Sequence, residues 1–151
     1  MTTYNNSTNT SIPSGVTAGT YSSANITVNA AGQITAASNG SVTGNFVNQT
    51  TASVTLAADT VYLTNAGASL VTYTLPAAPA VGDVYEVIGF SAGGWTIAQN
   101  ASNVIHFGSV TTTTGAGGSL SSSNQYDKVT LRCAAANTWV AYNSQGNLTY
   151  V

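Results

Sequence analysis

The sequence predicts an all-β fold, a short-stranded antiparallel sandwich or barrel, on three observations. About ten short runs rich in Val, Ile, Thr and aromatic residues are separated by Gly, Asn and Pro turn signals. No stretch carries apolar residues at helical spacing between capping residues. The chain has 151 residues, of which 43% are hydrophobic, enough to build one buried core without disulfides or metals.

The elements follow in order. Residues 1–15 are polar and aperiodic and end in Ile12-Pro13-Ser14-Gly15, which reads as an extended, flexible N-terminal arm closed by a turn. Gly19 to Asn39 reads as a hairpin with Ile26, Val28 and Ile34 as its apolar positions. Its turn is legible: Asn29 can bond its own backbone, and Gly32 can take the positive φ that closes it. The C-terminal stretch NSQGNLT repeats this grammar, with Asn143, Gly146, Leu148 and Thr149 matching Asn29, Gly32, Ile34 and Thr35. Gly32 and Gly146 are therefore expected as structural turns, the second inside a last hairpin made by Thr138–Tyr142 and Leu148–Val151.

Residues 40–58 continue in Val, Thr and Phe, with Gly44 as a break, and favour strand. Val61–Leu63 and Leu70–Leu75 are strands around the turn signal Asn65-Ala66-Gly67. Asp83–Phe90 is apolar at both parities, as a central strand buried on both faces would be. Trp95–Ala98 and Val104–Phe107 follow, Thr111–Ser123 is a loop by composition, and in residues 126–133 Val129, Leu131 and Cys133 alternate with Lys128, Thr130 and Arg132. The expected organisation is an arm over 1–15, a hairpin module over 16–58 and a compact β domain over 59–151, with 16–151 as one folded unit the alternative.

Charge excludes several functions. Only 4% of residues are charged: Asp59, Asp83, Glu86 and Asp127 against Lys128 and Arg132, a net charge of -2. Soluble domains carry about 25% charged residues, so the surface here must be largely Ser, Thr, Asn and Gly. Two cations cannot neutralise a useful number of phosphates, which argues against nucleic acid and an anionic membrane surface as partners. The N-terminal MTTYNNSTNT lacks the basic and apolar regions of a secretory signal, so synthesis and folding in a cytoplasm are expected and the Asn-x-Ser/Thr triplets are not expected to carry glycans. The single cysteine, Cys133, allows no internal disulfide and is expected to be a small buried apolar residue.

Gly89-Phe90-Ser91-Ala92-Gly93 matches G-x-S-x-G, yet a nucleophile elbow needs a following helix and an acid before the histidine, whereas GWTIAQ reads as a strand and His106 precedes Asp127. Asp83 and Glu86, the only close carboxylate pair, are offset by three in a strand and point to opposite faces. His106 has no second histidine near it for a metal site. GAGGS at 115–119 lacks the Lys and helix of a phosphate loop. Trp95 and Trp139 suit core packing, with sugar stacking as the lesser reading. No catalytic residue, cofactor or metal is expected.

The stretch GTYSSANITVNAAGQITAASNG, a Gly-x-Tyr start leading to a V-x-x-x-G-x-I-T-x-A hairpin, resembles a module of bacteriophage tail fibres and related virion surface proteins. TLPAAPAVGDVYEVIGFSAGGWTIAQNASNVIHFG and the closing NTWVAYNSQGNLTYV are similar to phage-type β domains. The resemblance implies a homotrimer without enzymatic activity, on a virion surface and assembled in the host bacterial cytoplasm. The near absence of Lys and other charges agrees with strand edges covered by partners rather than guarded by charge, and Val28, Ile34 and Phe46 are the expected trimer interface. A tail fibre is expected to carry a substantial attachment domain, whereas Met1 opens on a short arm. Capsid decoration is therefore the preferred expectation, with Tyr4 and Ile12 anchoring the arm on the major capsid protein or other virion proteins. The alternative is a trimeric tail-fibre tip or head fibre that binds host surface glycan.

Overall fold

The computed structural model of the chain describes residues 16, 17, 19–22, 24–30, 32–39 and 45–151. The expected arm over 1–15, with Tyr4 and Ile12, lies outside these residues. Among the described residues the regular structure is all strand: β1 (Asn25–Val28), β2 (Ile34–Ser38), β3 (Asn45–Gln49), β4 (Ser53–Thr55), β5 (Thr60–Thr64), β6 (Val71–Thr74), β7 (Val84–Gly89), β8 (Trp95–Ala98), β9 (Val104–Phe107), β10 (Val110–Thr111), β11 (Ser119–Ser122), β12 (Lys128–Ala135), β13 (Thr138–Gln145) and β14 (Leu148–Tyr150). The chain divides into two compact units, Met1–Thr43 and Gly44–Val151. The sequence placed the division after residue 58. Residues 45–58 belong instead to the second unit, because β3 and β4 form ladders with β5 and β6.

The described part of the first unit is the expected hairpin. β1 and β2 pair antiparallel, with Ile26 opposite Ala37 and Val28 opposite Ile34. The turn works as its residues dictate: the Asn29 carbonyl accepts the Gly32 N–H at 2.9 Å, Asn29 Oδ1 accepts the Gln33 N–H at 3.0 Å, and Gly32 has φ +77°.

The second unit is a sandwich of two sheets, ordered β10-β9-β13-β12-β7-β5-β3 and β14-β11-β8-β6-β4. From β3 to β8 the chain alternates between sheets, and each strand lies parallel to the one two elements earlier. This is solenoid wiring. With β9 also parallel to β13, the expectation of an antiparallel sandwich is corrected to a mixed one. The reason is local: segments that read as hairpin turns are corners that carry the chain across to the facing sheet. Asn65-Ala66-Gly67 is one such corner, and corners stack on corners. Thr64 O accepts the N–H groups of Phe90 and Ser91, each at 3.0 Å, and Gly67 O accepts that of Gly93 at 2.9 Å.

The coils end where the chain reverses. The antiparallel pair β12–β13 closes the β7 edge, and β11 closes the β8 edge. β14 then pairs with β11, so the expected last hairpin between residues 138 and 151 is also a corner between sheets. The loop reading of Thr111–Ser123 is corrected over its second half, where Ser119–Ser122 is an interior strand and Leu120 is fully buried. Ser-rich composition permits a strand here because flanking strands satisfy its backbone and one Leu suffices to face the core.

The two sheets meet over one core that includes both Trp, three Tyr and the aliphatic residues of the inward faces. Tyr62 packs edge-on to Tyr73 at 5.3 Å between centroids, and Tyr85 to Trp139 at 5.0 Å, so aromatic pairs join strands of the core. Both Trp are fully buried, with Trp95 Nε1 donating to Asp127 O at 2.9 Å. The core reading of the tryptophans holds and the sugar-stacking one does not. β7 is central as expected, but only Tyr85, Val87 and Gly89 face the core. Val84, Glu86 and Ile88 are half-buried on the outer face.

Candidate functional site

The residues that looked most chemical in the sequence are occupied by architecture. Gly89–Gly93 forms the corner between β7 and β8: Ser91 Oγ reaches Thr64 O at 3.4 Å, and a Cβ on Gly93 would stand 2.1 Å from Ser69 O. Gly93 is there for close stacking of corners, whereas Gly89 at the end of β7 packs against Asp127 O and the Trp95 ring. His106 Nδ1 lies 3.0 Å from Thr111 Oγ1 across the β9–β10 pair. Cys133 is buried, its thiol is pushed up by desolvation and its Sγ donates to Ala135 O at 3.3 Å, which keeps it from acting as a thiolate. Tyr73, pushed up to about 12 by burial, bonds Thr64 Oγ1 at 2.9 Å. Trp139 Nε1 is buried in the core without a partner among the described residues.

Asp83 and Glu86 diverge as the strand offset requires. Asp83 Oδ2 accepts the Ala80 N–H at 2.9 Å and the Tyr85 hydroxyl at 3.1 Å, closing the turn before β7. Glu86 projects from the outer face of the seven-stranded sheet, where Oε2 accepts the Thr130 hydroxyl at 3.2 Å. Asp127 is also architectural: buried, its Oδ2 accepts the N–H groups of Ser123 at 2.9 Å and Asn124 at 2.8 Å.

The outer face of the seven-stranded sheet therefore gathers what remains. The ladder sets Phe46, Val61, Glu86, Thr130 and Asn143 in one row across β3, β5, β7, β12 and β13. Beside Glu86 lies a depression of about 340 Å³ lined by Asp59, Thr60, Val61, Val84, Glu86, Thr130 and Tyr142. Asp59 is locked by its backbone, its N–H on Val84 O at 2.8 Å and its carbonyl under Asn45 N at 2.9 Å, in a left-handed conformation of φ 53°. Arg132 lies over the Tyr142 ring, 5.5 Å from its centroid. Asp59 and Tyr142 carried no expectation from sequence. They are 83 positions apart in the chain, and only the strand order brings them to one site.

The expected interface residues are all exposed on the single chain. Val28 is 58% and Ile34 43% exposed, as cross-strand partners on the hairpin, and Phe46 is 63% exposed on β3, the edge strand of the second unit. No protein-family model matches the chain, and no curated protein matches it.

Proposed function

We propose that this chain is a non-enzymatic structural protein of a bacteriophage particle, a homotrimer on the virion surface that decorates and cements the capsid. The observation that carries the reading is the hairpin. Both its strands are uncharged, all four residues of β1 are exposed, and Ile26, Val28 and Ile34 bury little surface within their own unit. A two-stranded hairpin alone is marginal in water, and uncharged edges invite pairing, so such an element is suited to be completed by other copies. Closed cyclic assembly covers it without open-ended growth.

The fibre-tip alternative would read host glycan through the Thr111–Ser123 segment. Four of its thirteen residues are spent on β11, and the turn before it is pinned by Gln99, whose Nε2 donates to Thr113 O at 2.9 Å and Gly115 O at 3.3 Å. This leaves little free loop for recognition and favours decoration. The test combines light scattering after size exclusion with binding to undecorated capsids and to host cells. The intact protein is expected to run as a trimer whose mass is unchanged by salt, since few charges are present to be screened, and to bind capsids. Val28→Asp with Ile34→Asp is expected to give a monomer with the second unit folded. An intact protein that is monomeric at micromolar concentration, or that binds cells and not capsids, overturns the reading.

A further inference from the structure

We propose that the depression beside Glu86 is a binding site for a basic side chain, a lysine ammonium or arginine guanidinium presented by a neighbouring protein. The first ground is how the carboxylates are used. The chain has four. Asp83 and Asp127 accept backbone N–H groups and close turns. The other two, Asp59 and Glu86, line one depression that has no basic residue in its lining. Among the described residues neither has an ion-pair partner, and Glu86 is met only by the neutral Thr130 hydroxyl.

The second ground is the rest of the lining. Val61 and Val84 offer apolar surface to a methylene stem, and Tyr142, whose ring already carries Arg132 at 5.5 Å, bounds the depression. Carboxylates accept and cannot donate, so the occupant must bring hydrogen-bond donors, and two anions in one lining favour a donor that is also positively charged. Apolar wall and acceptor-only anions together match a long basic side chain better than a neutral or anionic ligand. About 340 Å³ is at the small end of ligand pockets and accommodates one such side chain. Part of the site is set in advance: the Asp59 backbone is fixed by two hydrogen bonds, and the Glu86 carboxylate accepts from Thr130.

The chain's own cations do not fill it. Arg132 is held over Tyr142, and Lys128 stands on β12 outside the lining. The charge chemistry is independent of the assembly reading. Only the source of the cation, a neighbouring protein of the particle, rests on it.

The experiment is a titration of the intact ¹⁵N-labelled protein with capped lysine and capped arginine (Nα-acetyl, C-terminal methylamide), against capped norleucine and n-butylammonium. Saturable shifts are expected at Val61, Val84, Glu86 and Thr130 with both basic probes, weakening about threefold or more when salt rises from about 20 to about 300 mM. Asp59→Asn and Glu86→Gln, isosteric changes at a solvent-open site, are each expected to weaken binding several-fold with spectra still dispersed. Lys128→Gln is expected to leave binding unchanged. Norleucine binding at the same midpoint, or no saturable shift with either basic probe, overturns the proposal. Butylammonium binding more tightly than the capped residues overturns the side-chain assignment in favour of a free amine. Concentration-dependent shifts at these residues without probe, abolished by Lys128→Gln, overturn the partner assignment in favour of a second copy. Trimer mass measured on the same sample separates this outcome from the assembly reading: a trimer that binds no cation sinks only the pocket, and a monomer that binds one sinks only the assembly.

Discussion

At the scale of single residues, two glycines with the same turn grammar have different work to do. Gly32 has φ +77° with open space around it, so a side chain there meets only backbone strain. Gly146 has φ +87°, and a Cβ would stand 1.8 Å from Asp127 Oδ1. A side chain at 146 must displace a buried carboxylate that holds the Ser123 and Asn124 N–H groups. Gly146→Ala is therefore expected to lower the stability of the second unit by about 2–4 kcal/mol, left-handed strain plus loss of charge-assisted hydrogen bonds. Gly32→Ala should leave that unit's denaturant midpoint unchanged. Equal midpoints for the two variants would show that the Asp127 contact carries no weight. The φ of both glycines was readable from sequence, since Asn-x-x-Gly needs a residue that tolerates the left-handed region. The collision with Asp127 was not, because its cause lies nineteen positions upstream.

At the scale of elements, the segment between β10 and β11 shows how a Gly-, Ser- and Thr-rich stretch becomes ordered. Gln99, buried just after β8, donates from Nε2 to Asn103 O at 2.7 Å as well as to Thr113 and Gly115, while its Oε1 accepts the Thr112 hydroxyl. Thr112 Oγ1 in turn accepts the Ile105 N–H at 2.9 Å. Replacing the amide by an apolar side chain strands several buried carbonyls and a hydroxyl, each costing about 1–3 kcal/mol when unmade. Gln99→Leu is expected to destabilise the protein by about 2–4 kcal/mol and to open residues 111–118 to limited proteolysis. An unchanged digestion pattern would mean that β11 pairing alone orders the segment. Composition could not reveal this, because one buried glutamine 12 positions before Thr111 is the organiser.

At the scale of the whole molecule, the scarcity of charge leaves stability to the core, and the core contains phenols. Burial pushes Tyr73 up to about 12 from 10.0. Burial, reinforced by Asp83, raises Tyr85 further, and the buried Cys133 thiol is raised too. A raised folded pKa means the folded state keeps protons that the unfolded state releases, so this contribution is whole below the unfolded value and falls as pH rises. Stability is expected to decline from about pH 9, where the unfolded thiol ionises, and steeply between pH 10 and about 12. Tyrosinate absorbance from Tyr73 and Tyr85 should appear together with loss of the circular dichroism of the sheets. All eight tyrosines titrating near pH 10 with the sheets intact would contradict this. Tyr85→Phe should move the alkaline transition upward.

What the sequence determined by itself was whatever depends on near neighbours. Period-two alternation marked the strands, Gly and Asn marked the turns, and the inward residues of β12 were named correctly because alternation is a local steric fact. Only the tertiary structure decided whether a turn returns a strand to its own sheet or carries it to the facing one. Both routes use short corners, and they differ in hydrogen bonds to residues one coil away, such as that from Phe90 N–H to Thr64 O. That choice makes the sheets mixed rather than antiparallel. It also puts Asp59, Glu86, Thr130 and Tyr142 around one depression, since a side chain's neighbours across a sheet are set by strand order, which nothing local encodes.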